Sequence, residues 1–153
     1  MPFIEAPLDV RKVGDRTWKL LAPVIYRGNF GDWTVPAGYI TDFASVPRLL
    51  WILFPQSGRW DQAAVVHDWL ITDALPAGRI ISARVDAEFR GALKVLNVGL
   101  IKRWLMWAGV RWAAPFTKAR RSWGWFKTLP GLLAVSATAL VPVVVPLVLL
   151  LQR

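Results

Sequence analysis

The run "LPGLLAVSATALVPVVVPLVLLL", Leu129 to Leu151, holds 23 residues without a charge. As a helix it would rise about 34 Å at roughly 1.5 Å per residue, enough to cross a hydrocarbon core of about 30 Å. That predicts one transmembrane helix over residues 129–151. Pro142 and Pro146 stand four apart, on one face, and would kink such a span at backbone groups that packing or water must re-satisfy. The competing reading is a buried core helix or an amphiphilic tail, and the length of the uncharged run argues against it.

The segment before this run, Ile101 to Lys127, interleaves Trp104, Trp107, Trp112, Trp123 and Trp125 with basic residues that include Arg120, Arg121 and Lys127. Tryptophan favours the headgroup layer and basic side chains are drawn to anionic lipid, so these residues read as a membrane-interface belt and membrane lipid as the partner. Charge is split along the chain. All ten acids lie at or before Glu88, whereas ten Lys or Arg and no acid follow from Phe89, so the +9 net charge belongs to the C-terminal half. Only Gln152 and Arg153 follow the apolar run. The positive-inside rule therefore predicts that the folded part is cytoplasmic and the C-terminus outward. Nucleic acid is the rival partner for a basic, Trp-rich segment, but its position beside a membrane span already explains it. "MPFIEAPLDVRK" carries an early acid and no apolar h-region, so no cleavable export signal is expected. With no cysteine there are no disulfide staples and no thiolate metal ligands.

The length of 153 residues suits one compact domain with an appendage. "TWKLLAPVIY" and "WTVPAGYI" flank the turn-rich "RGNFGD" and predict a β-hairpin, with Pro23 and Pro36 at edges or bulges. A short helix is expected after Ser45 as N-cap, running to Pro55. A second is expected over about 59–71 with Asp61 near its start, and a third from Ser82 with Val85, Phe89, Ala92 and Leu96 on one stripe. "TDALPAGRI" reads as a loop. The fold class is α+β: a small N-terminal hairpin or sheet packed on about three helices, plus the C-terminal transmembrane helix. The divisions are residues 1–100 for the domain, 101–128 for the juxtamembrane segment and 129–151 for the span.

His67 is the only histidine, and Asp68 follows it. Adjacent helical residues diverge by about 100°, so the two cannot face each other. Ala63 and Ala64 lie one turn before them and leave room for another segment, for which the loop with Thr41, Asp42 and Ser45 is the best candidate. Asp86 would complete a cluster of one imidazole and three carboxylates. Two chemistries suit it. His67, oriented by a carboxylate of the cluster of Asp42, Asp68 and Asp86, would be a general base toward water or the Ser45 hydroxyl; alternatively His67, Asp42, Asp68 and Asp86 would ligate a divalent metal. The plain alternatives are a half-buried His67 bonded to backbone, a turn or cap role for Asp42, a helix-to-loop bond for Asp68, and an i,i+4 pair of Asp86 with Arg90.

The strings "VPAGYITDFASVPRLLW", "AAVVHDWLI" and "RVDAEF", with "GVRW" downstream, resemble a family of tailed phages and prophages numbered 1353 in the domain-of-unknown-function series. Thr41, Asp42, Ala44, Ser45 and Pro47 fit its first motif, His67, Asp68 and Leu70 its second, and Asp86 and Phe89 its third. Ile71 and Val85 depart from it, where tyrosine and alanine are usual. The resemblance spans roughly Trp33 to Trp112. It implies a phage or prophage origin, other phage proteins as partners, a place in or on the virion as one setting, and a site shared by the three motifs; it implies no activity. The expectation is a phage protein anchored in the bacterial inner membrane, with a His/Asp hydrolase-like site, lipid and cell-wall material being the substrate classes left open. The alternative is a non-enzymatic structural, lysis or host-takeover component in which the same cluster is a clasp.

Overall fold

Alternation of buried and exposed side chains builds the strands. In β3 (Val24–Arg27) Val24 and Tyr26 point inward, and in β4 (Asp32–Val35) Trp33 and Val35 do the same. The two pair antiparallel from Val24 with Val35 to Arg27 with Asp32. Beside them β1 (Val10–Lys12), β2 (Trp18–Leu20) and β5 (Ile40–Thr41) form a second, three-stranded sheet in the order β1-β2-β5. Sequence predicted a single hairpin. Pro23 and Pro36 divide it, because they flank the last β3–β4 pair and neither has an N–H to continue the ladder.

The computed structural model describes residues 3, 7–43, 58–116, 120, 127 and 129–138. The helix expected after Ser45 lies outside them. Helix α1 (Asp61–Trp69) starts where the Gly58 amide donates to Asp61 Oδ1 at 2.8 Å. It does not stop at Ile71 but widens into a π turn over Leu70–Ala74, so the expected loop begins later. Helix α2 (Ser82–Val95) buries the predicted Val85, Phe89 and Ala92. It ends in a Schellman motif: Asn97 adopts a left-handed φ of 54°, its amide donates to the Lys94 carbonyl, and the Val98 amide reaches back to the Leu93 carbonyl at 3.0 Å. Helix α3 (Leu100–Ala113) follows and continues as a 3-10 turn over Ala114–Phe116.

The core lies where α1, α2 and the β3–β4 ribbon meet, around Tyr26, Trp33, Val65, Leu70, Phe89 and Leu93. Helix α3 adds Met106 to it. Residues 129–138 form α4, which packs on the end of α3: Leu132 is fully buried and Trp112 Nε1 donates to Ser136 Oγ at 3.0 Å. The architecture is therefore α+β, with small sheets and four helices among the described residues. None of the described helices is long and apolar enough to cross a membrane. The remainder of the expected span, 139–151, lies outside the described residues.

Candidate functional site

Asp86 is the centre of the polar core. Helix α2 carries it on the face toward α1 and α3, and it is fully buried. His67 Nε2 donates to its Oδ1 at 3.1 Å, Arg111 Nη1 donates to its Oδ2 at 3.0 Å, and Arg120 Nη2 also donates to Oδ1. Arg120 is fixed further by its Nη1 on the Val110 carbonyl and its Nε on Ser82 Oγ, and the His67 ring lies 4.7 Å from that of Phe89. Burial opposes ionisation of Asp86. The hydrogen bond and charge of His67 and the two guanidiniums outweigh it and hold the carboxyl below its usual range. The same burial lowers the pKa of Arg120, against the pull of Asp86.

Asp68 faces another way, as the 100° divergence requires. It is half-buried and hydrogen-bonded to Thr41 and Tyr39, with the Asp42 charge nearby. Burial pushes its carboxyl up, and the bonds from Thr41 and Tyr39 pull the other way. Tyr39 Oη lies 2.9 Å from Thr72 Oγ1, in the π turn. The Thr41 hydroxyl also accepts from the Phe43 amide at 3.1 Å and closes a turn in which Phe43 has φ of 64°, a strained value for an aromatic residue. The loop and helix motifs thus meet, but through Thr41 and Asp68. His67 and Asp86 pair on the other side. The expected gathering of His67, Asp42, Asp68 and Asp86 round one metal does not form: among the described residues no three such groups are placed to share an ion. Ser45 lies outside the described residues.

A family model described as "Protein of unknown function (DUF1353)" matches residues 18–110, more than half the chain. The chain belongs to this family. No curated protein and no solved structure matches it significantly. His67, Asp68 and Asp86 lie within the DUF1353 match, whereas Arg111 and Arg120 lie beyond its end. The buried cluster therefore joins residues inside the match to Arg111, on the same helix α3 in which the match ends, and to Arg120 beyond α3.

That corrects two sequence expectations. Arg120 does not face lipid but is buried on Asp86, because two cationic groups in the core need a carboxylate to offset their desolvation. Asp86 does not pair with Arg90, whose guanidinium lies over Trp104 at 4.3 Å and near Trp107. Trp104 and Trp107 meet edge to face at 5.4 Å and are half-buried, while Trp112 is more open. Lys127 is exposed; Trp123, Trp125 and Arg121 lie outside the described residues.

Sequence reasoning passed over Glu88. It is fully buried and accepts from the Asn29 amide at 3.0 Å, the Phe30 amide at 2.6 Å, Trp33 Nε1 at 3.3 Å and Tyr26 Oη at 3.4 Å. Burial, with the charge of Glu88, pushes the Tyr26 phenol up. Gly28 lies against it, and a Cβ there would push the carboxylate away from its four donors. The available signal was an acid next to Phe89 on the buried stripe of α2, opposite a turn containing two glycines.

Proposed function

We propose that this DUF1353 chain is a non-enzymatic, membrane-anchored phage or prophage component in which the His67–Asp86–Arg111–Arg120 cluster is a structural clasp. One observation carries the clasp: Asp86 is completely enclosed by three donors from α1, α3 and the segment beyond α3. Among the described residues no fully buried side-chain nitrogen or oxygen lacks a partner, which suits a cluster that holds the fold together. His67 commits Nε2 to Asp86 and packs its ring against Phe89, so the imidazole is fixed in the cluster from two sides. The clasp would set the domain at a fixed attitude to the bilayer. Membrane anchoring is supported by the uncharged run and the acid-free basic half, and the phage setting by the family pattern in the sequence.

The test is thermal unfolding and fractionation of the full chain. Asp86→Asn and His67→Ala should each lower the melting temperature, and the parent should stay with membranes through an alkaline wash. A hydrolytic activity lost in His67→Ala at an unchanged melting temperature would overturn the clasp. A second reading is favoured by Asp68, which combines partial exposure, an upward pKa shift and contacts to Thr41 and Tyr39. Under that reading a hydrolase-like site is centred on Asp68, and Asp68→Asn would remove the activity.

A further inference from the structure

The corner between α2 and α3 is apolar where solvent should favour polar groups. Its sequence, "KVLNVGLIKR" from Lys94 to Arg103, sets apolar residues between basic ends. Val95 is 37% exposed, Leu100 61% and Ile101 76%, while Val98 turns inward and is buried. The Schellman motif at Asn97 fixes this arrangement, and the space beside Gly99 is open. Lys94 is exposed and Arg103 half-exposed, and no acid follows Glu88 in the chain. A rigid apolar tip with cationic flanks is complementary to an anionic bilayer, whose headgroups attract the flanks and whose interface accepts the tip. The far end of α3 repeats the theme. There Phe116 is 84% exposed, and α4, the start of the apolar run, packs against Trp112. The two ends stand about 21 Å apart along a 14-residue helix at roughly 1.5 Å per residue.

We propose that the α2–α3 corner is a second, peripheral membrane contact: Val95, Leu100 and Ile101 enter the headgroup layer of an anionic bilayer, and Lys94 and Arg103 meet its phosphates. With the apolar run at the opposite end, α3 then lies along the surface. This rests on the reading of the chain as membrane-anchored and adds the orientation of the domain.

The absence of cysteine makes single-site labelling direct. The full chain bearing Ile101→Cys or Leu100→Cys, each coupled to an environment-sensitive dye, is reconstituted into phosphatidylcholine vesicles with and without phosphatidylglycerol. A label at Val13→Cys, a position 49% exposed on the sheet side, is the control. In the anionic vesicles the corner labels should shift to the blue and be quenched by lipid-borne nitroxides, the Val13 label should remain in water, and Lys94→Glu with Arg103→Glu should reduce the corner quenching severalfold. A corner label that stays in water while the protein floats with the vesicles overturns the contact and leaves the anchor standing. A label already shielded before vesicles are added, or one that reports contact between two copies, assigns the corner to protein and also overturns it. If the parent chain does not float at all, the membrane reading itself falls, and this inference with it.

Discussion

Asp86 and Glu88 stand two positions apart on α2, are both fully buried, and hold different parts of the molecule. Two helical steps turn the side chain by about 200°, so one carboxylate faces α1 and α3 and the other faces the β3–β4 turn. Asp86 collects His67, Arg111 and Arg120; Glu88 collects the amides of Asn29 and Phe30 with Tyr26 and Trp33. Helix α2 is thus the fastener of the fold at both faces.

Replacing Asp86 should be the most damaging single change in the cluster. Asp86→Ala leaves two buried guanidiniums without their carboxylate and is expected to cost about 3–5 kcal/mol, the range for breaking a buried ion pair. His67→Ala leaves Asp86 with both arginines and should cost less. Denaturant unfolding of the full chain in detergent measures both, and equal losses would show that the imidazole is as necessary as the carboxylate.

Glu88→Gln should loosen the hairpin tip locally. A carboxamide presents one acceptor oxygen where four donors converge, and each buried donor left without a partner costs about 1–3 kcal/mol. Hydrogen exchange at the Asn29 and Phe30 amides should accelerate, while the amides of α3 change little. Uniform acceleration would mean that Glu88 supports the whole domain and not its turn.

The two aspartates predict opposite pH responses. Asp86 has its folded pKa depressed below the unfolded value of about 3.9, so its stabilisation is present above that value and is lost as pH falls through the lower, folded one. Asp68 has its folded pKa raised, so its contribution is present below about 3.9 and is lost as pH rises through the higher, folded value. Comparing the parent with Asp68→Asn between pH 4 and pH 7 isolates the second effect: the parent's stability relative to the variant should decline as pH rises. A constant difference would show that Asp68 does not titrate in that window.

Where the chain is cut should decide between loss of anchoring and loss of folding. A chain ending at Thr138 keeps the buried Leu132 and the bond from Trp112 to Ser136, whereas one ending at Thr128 loses both. Both keep only the peripheral corner contact and are expected to be released by the alkaline wash that the parent withstands. Only the shorter should melt earlier, by several degrees, as lost burial of a leucine would cause. Equal melting temperatures would mean that α4 adds nothing to the fold.

Local order was legible in the sequence. The buried stripe of α2, the acid at the start of α1 and the runs of β3 and β4 flanking the turn at Gly28–Gly31 all follow from periodicity, composition and turn chemistry, which operate over a few residues. The separation of His67 from Asp68 also followed, from the helical step alone. Only tertiary structure decided who meets Asp86. Arg111 stood in the quoted "GVRW" and Arg120 in a basic run that looked like a lipid-facing belt; they lie 25 and 34 residues from Asp86 in the chain. Nothing in their local pattern separates a buried cation from an exposed one. That distinction depends on which carboxylate the packed helices bring within reach, because in the core an ion is tolerated only with its partner. The same holds for Glu88, whose role exists only once the hairpin amides close on it.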